Sequence, residues 1–180
     1  WHENDGGRNI GTGCIVIMED PDEKWTNVGT YRVCVHDKNT LGIWISPGKH
    51  GRLIREKYWT QGRPCPVVIS FGQDPVLAKV ASWYEAWGVS ELEIAGWLFG
   101  EPVKFVRGPE TGLPIPATAE PVVEGFIVPP SEDSRAEGPF GEWTGYYASG
   151  TRNEPVVKVK NVFYRNDPII LGMPPGISVK

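Results

Sequence analysis

The chain is 180 residues long, with a formal net charge of −4 at pH 7, 40% hydrophobic and 22% charged residues. That length suits one domain with a sizeable core, and the composition is ordinary for a globular protein. The acidic balance excludes a dominant contact with nucleic-acid phosphates, which needs clustered Lys and Arg. No stretch approaches the roughly 20 apolar residues of a membrane helix.

Cys14, Cys34 and Cys65 form an odd, sparse set without a CxxC pair, which argues against a disulfide scaffold or a cysteine-based zinc site. Such usage points to a reducing, cytoplasmic setting. The first residues, WHENDGG, hold neither Met nor a signal-peptide pattern, and the chain stops at GISVK. It reads as a piece of a longer protein.

Gly (22) and Pro (17) are frequent and dispersed, which predicts many short elements joined by tight turns. Residues 12–37 read as two strands around a turn at Asp20-Pro21-Asp22. TLGIWIS (40–46) continues the sheet. A helix is expected over 49–61, with Leu53, Ile54 and Tyr58 toward a core. CPVVISFG (65–72) reads as a buried strand. Asp74 and Pro75 suit the cap and first turn of a second helix. Val76, Leu77, Val80, Ala81, Tyr84 and Trp87 follow at helical spacing, with Gly88 as the stop. Ser90 and Glu93 form a capping box that puts Glu91 in the first turn of a third helix closed by Gly100.

Strands are expected at 102–108 and within 117–130. In 154–167, Val157, Val159 and Phe163 alternate with Lys158 and Lys160. These elements predict an α+β fold, with a mainly antiparallel, barrel-like sheet and helices packed outside it.

Several residues carry chemistry. Asn27 and Arg32 are an odd number apart, so a regular strand would point them to opposite faces. A shared site needs a bend, which a bulge at Gly29 could supply; a plain strand with a surface Arg is the other reading. His50 after a Gly-Lys turn is equally a solvated or capping residue. Glu91 is favoured at a helix start by roughly 0.3–1 kcal/mol whatever its role. Together, however, Asn27, His50 and Glu91 make an oxygen-rich donor set that suits Mn²⁺ or Mg²⁺ better than structural zinc. A dication would also relieve the repulsion between a phosphate and a carboxylate. Glu137 and Glu142 lie five residues apart in a loop that Gly138, Pro139 and Gly141 make close-fitting. Two Glu on a solvated turn is one reading. General acid chemistry is the other; it needs one carboxyl kept protonated and an Arg, such as Arg32, holding its neighbour ionised. Phe140 and Trp143 would form a dry wall. Most of the eight Trp read as packing residues, with one or two available to line an aromatic pocket.

Five stretches in order carry a family resemblance: WTNVGTYRVCVHDKNTLGIWISPGKH (25–50), GVSELEIAGWLFGEPV (88–103), LPIPATAEPVVEG (113–125), EGPFGEWTGYY (137–147) and KVKNVFYRNDPI (158–169). The chain resembles the UbiD decarboxylases, which use prenylated flavin mononucleotide, over nearly its whole length. The resemblance implies an FMN-binding-like split β-barrel with flanking helices. It also implies that residues 1–180 are one domain, the prenylated-FMN and metal-binding core of a longer enzyme. Asn27, His50 and Glu91 match Mn²⁺ ligands that clamp the flavin phosphate, and K⁺ is admitted as a second ion. Asn27, Val28, Gly29, Thr30, Tyr31 and Arg32 match the segment that wraps the cofactor, and Lys49 and His50 a further contact. Arg32, Glu137 and Glu142 match a catalytic Glu–Arg–Glu network, with Glu142 as proton donor.

The implied reaction is reversible, non-oxidative decarboxylation of an α,β-unsaturated or (hetero)aromatic acid, with the flavin taking up electrons as carbon dioxide leaves. Implied partners are the small acid, a flavin prenyltransferase that supplies the cofactor, and further copies of the protein joined through a C-terminal domain; no nucleic acid or membrane is implied. Family members are longer at both ends, and the Lys that their C-terminal domain brings to the cofactor has no match here. The alternative is therefore a non-catalytic flavin- and metal-binding domain, or one subunit of a multi-protein carboxylase.

Overall fold

A computed structural model of the chain describes residues 1–11, 13–142, 144–147 and 149–172. In chain order the elements are β1 (Arg8–Gly11), β2 (Ile15–Glu19), β3 (Thr26–Gly29), β4 (Arg32–Asp37), β5 (Thr40–Trp44), α1 (His50–Thr60) and β6 (Cys65–Ser70). Next come α2 (Pro75–Ala81), α3 (Glu91–Phe99), β7 (Phe105–Arg107), β8 (Pro114–Pro116), β9 (Val122–Ile127), β10 (Ser134–Glu137) and β11 (Arg152–Phe163).

The two most apolar runs explain the architecture. In β2, Val16 and Met18 enter one core while Ile15 and Ile17 enter another. β6 does the same, with Val67 and Ile69 on one side and Val68 on the other. A strand covered on both faces loses its polar alternation. The inner core lies within the curl of the sheet and takes Ile54 and Tyr58 from α1. The outer core packs the convex side against Leu77 and Val80 of α2 and Ala95 of α3. Each fully buried Ile or Leu contributes about 1.5–3 kcal/mol relative to exposure.

The main sheet has nine strands in the order β1-β4-β5-β11-β9-β6-β2-β3, with β10 on β11, and it curls into a half-barrel. Every pairing in it is antiparallel. The expected α+β fold with flanking helices is thus what forms. A separate β7–β8 hairpin flanks it.

Four local expectations change. Residues 12–37 hold three strands rather than two, because the extended run is interrupted at Thr30-Tyr31 between β3 and β4. The second helix ends at Ala81, with Ser82 as its C-cap, so Tyr84 and Trp87 leave the helix. Leu53 is 41% exposed and takes no part in the core, which Ile54 and Tyr58 fill. Ser90 caps α3 and Gly100 ends it at a left-handed φ of 73°. However, Ser90 accepts from the Leu92 N–H rather than from that of Glu93, and among the described residues no hydrogen bond reaches the Glu93 side chain, so the expected capping box does not close. No helix of the described residues is long and apolar enough to cross a membrane.

Candidate cofactor and active site

Four elements meet at the end strand β3. The Glu91 carboxylate, in the first turn of α3, accepts from the Asn27 side-chain amide at 3.0 Å and from the Val28 N–H at 2.7 Å. Asn27 Oδ1 in turn accepts from the Tyr31 hydroxyl at 3.1 Å, and that hydroxyl accepts from the Gly51 N–H in α1 at 3.1 Å. Tyr31 thereby ties the β3–β4 break to the start of α1. Its ring leaves no room for a Cβ at Gly29, which would come within 2.5 Å of it, nor at Gly51, within 2.6 Å.

These contacts frame a cavity of about 50 Å³ lined by Asn27 to Tyr31, Lys49, His50 and Glu91. All the expected cofactor-contact positions except Arg32 face this one space. His50 opens α1 and Glu91 opens α3, so two helix N-termini converge there. Lys49 caps α1 without a side-chain hydrogen bond, and the first turn of α1 holds no acid. The two helix dipoles and the Lys49 charge favour an anionic group such as phosphate here, although Tyr31 takes the Gly51 N–H and Ser90 the Leu92 N–H.

Burial lifts Glu91 above the ordinary carboxylate range, opposed by the Val28 N–H and the Asn27 amide. Burial, aided by the Lys49 charge, pushes His50 down, toward the neutral imidazole that a metal ligand requires. Among the described residues, no three His, Cys, Asp or Glu side chains cluster for a metal. A dication here would draw on the Asn27 oxygen and on oxygens of water or ligand. That donor set fits Mn²⁺ or Mg²⁺.

Arg32 starts β4, beyond the strand interruption, and points to a second site. The interruption resolves the odd spacing of Asn27 and Arg32: no bulge occurs at Gly29, since β3 simply stops and β4 joins other strands. Arg32 Nε lies 2.5 Å and Nη2 2.7 Å from the two oxygens of Glu137, a bidentate pair. Glu137 ends β10 and is buried, and the Arg32 guanidinium sits 4.5 Å from the Phe140 ring centroid. Glu142 lies 3.8 Å from Arg32 Nη1, with its side chain 37% exposed. Trp143, the other expected wall residue, lies outside the described residues.

The loop that carries Glu142 is bridged between Gly141 and Tyr147. The N-terminal stretch steadies it. Asp5 accepts from the Gly141 N–H at 3.3 Å and from the Tyr147 hydroxyl at 3.2 Å, and the Gly6 N–H donates to Pro139 O at 2.7 Å. Cys14, Cys34 and Cys65 are free and buried. Burial pushes the Cys14 thiol up to about 12, which keeps it protonated near neutral pH.

Sequence reading does not single out Ser82 and Glu85, which also line the small cavity. They fall in a segment whose periodicity reads as helix. It also misses Asp5, whose only signal is its position in a Gly-rich N-terminal stretch.

The UbiD family profile, described as the 3-octaprenyl-4-hydroxybenzoate carboxy-lyase Rift-related domain, matches residues 1–178. A phenolic acid decarboxylase of Bacillus subtilis is 38% identical over 180 residues, covering 96% of this chain and 37% of the relative. A pyrrole-2-carboxylic acid decarboxylase of Pseudomonas aeruginosa is 35% identical, over 97% of this chain and 36% of the relative. An evolved dimeric form of the UbiD-class enzyme HmfF from Pelotomaculum thermopropionicum, solved with prFMN, superposes with a TM-score of 0.87 at 35% identity. It covers 94% of this chain and 38% of that one. The chain thus spans under two fifths of the length of the curated relatives it matches. Over the part it spans, sequence and fold agree, and the chain belongs to the UbiD family.

Proposed function

We propose that this chain is the prenylated-FMN-holding domain of a decarboxylase acting on an aromatic or α,β-unsaturated carboxylic acid. The observation that carries the reading is the convergence of Asn27, His50 and Glu91 on one small cavity between two helix N-termini. The paired Arg32 and Glu137 stand beyond the interruption at Thr30-Tyr31. The relatives' names point to phenolic and pyrrole acids as the substrate class.

Asn27, His50 and Glu91 would hold Mn²⁺ against the flavin phosphate, removing the repulsion between that phosphate and Glu91. Lys49 and the two helix starts add positive potential. A larger cavity of about 840 Å³ adjoins this one and shares Thr30 and Ser82 with it, giving room for a ring system. When bound, prenylated FMN supplies the electron sink for loss of carbon dioxide. Arg32 holds the Glu137 carboxylate by its bidentate pair and, through Nη1, orients Glu142. Glu142 delivers a proton to the substrate carbon that carbon dioxide leaves, and takes one back in the carboxylation direction. A flavin prenyltransferase supplies the cofactor.

The exposure of Glu142 favours a second reading, a flavin- and metal-binding module without turnover of its own. Glu142→Gln in the full-length protein separates the two. Decarboxylation of aromatic acids should fall below detection while flavin absorbance stays. Undiminished turnover in that variant removes Glu142 from the mechanism, and no turnover by the wild type favours the second reading.

A further inference from the structure

The segment between α2 and α3 does not extend the helix; together with Trp25, just before β3, it sets aromatic rings around His50. Trp87 lies 5.2 Å from the imidazole centroid at 86°, and Trp25 5.5 Å at 89°, both edge-to-face. The two indoles meet each other at 5.0 Å. Tyr84 tilts over the third side at 6.0 Å. Such T-shaped contacts are directional, since ring edges and faces carry opposite partial charge.

A metal-binding His is ordinarily oriented by a carboxylate or carbonyl that accepts from its second ring nitrogen. Among the described residues, none hydrogen-bonds either nitrogen of His50. What surrounds the imidazole instead is the three rings. Trp87 is itself held: its indole N–H donates to Glu23 at 3.0 Å, and the Lys57 ammonium lies 4.8 Å over its ring. Lys57 is anchored in turn by the buried Asp20 at 2.7 Å.

We infer that Trp25, Tyr84 and Trp87 are positioning residues, a collar that fixes the His50 imidazole for metal binding, with Trp87 as the clamp. The inference rests on the metal reading above and adds to it a set of residues that never touch the ion. Trp25 and Trp87 matter most, because Tyr84 is largely exposed.

The test is Mn²⁺ affinity of the full-length protein, measured by electron paramagnetic resonance titration. Trp87→Leu should weaken binding about tenfold, the low end of what orienting partners contribute. Trp87→Phe, which keeps a ring, should restore most of it. In a His50→Ala background, Trp87→Leu should produce no further loss, because its effect passes through the imidazole. Glu23→Gln, which only loosens the clamp, gives a smaller loss and serves if Trp87→Leu does not fold. Unchanged affinity in Trp87→Leu, or in Glu23→Gln when that variant stands in for it, overturns the collar. So does an undiminished Trp87→Leu effect without His50. An unchanged Mn²⁺ affinity in His50→Ala itself overturns the metal reading instead, so the two failures are distinct.

Discussion

Glu91 and Glu142 are carboxylates of the two neighbouring candidate sites, and the fold treats them differently. Glu91 is 3% exposed and accepts two hydrogen bonds from β3, a strand 63 residues earlier in the chain. Glu142 sits on a loop with its side chain 37% exposed and meets Arg32 at 3.8 Å. The proposed phosphate end is assembled by packed elements whose polar atoms satisfy one another. The acid end has a rigid half, Arg32 with Glu137, and a half carried by a loop. A cofactor anchor gains from rigidity, whereas a proton donor must approach and leave a substrate. The difference in construction is the one that the two proposed tasks call for.

The comparison can be broken first at the rigid half of the acid end. Glu137→Ala strands the nearly buried Arg32 without its partner and should cost about 3–5 kcal/mol, read by chemical denaturation. A cost below about 1 kcal/mol would show that the pair is not a structural anchor. At the phosphate end, Mn²⁺ at a hundred times its dissociation constant should stabilise the protein by about 2.7 kcal/mol. In Glu91→Gln at the same concentration the increment should disappear, and a full increment there would detach Glu91 from the ion. The smallest effect is expected for Glu142→Gln, whose stability should stay within about 0.5 kcal/mol of wild type because its side chain is half-solvated. A large loss would mean that the loop is as tightly built as the Glu91 corner.

The strands buried on both faces, the α3 cap at Ser90 and its stop at Gly100 were legible because each is a local rule acting on neighbouring residues. The α+β class followed from the same rules. The end of the second helix was not legible. Tyr84 and Trp87 hold helical spacing, yet their rings turn toward His50, a preference that only the folded neighbourhood expresses. Parity alone offers either a plain strand or a bend at Gly29, and nothing local to residues 27–32 reveals that β3 and β4 belong to distant parts of the sheet order.

The sequence by itself supplied the residue types, an oxygen-rich set of Asn27, His50 and Glu91 and an Arg followed by two Glu, and a family pattern that placed them in order. Tertiary structure alone decided which of them meet. Asn27 reaches Glu91, and Arg32 reaches Glu137 across 105 residues of chain. The physical reason is that such meetings depend on sheet order and register, which are settled by burial of both sheet faces at once. No window of neighbouring residues carries that information.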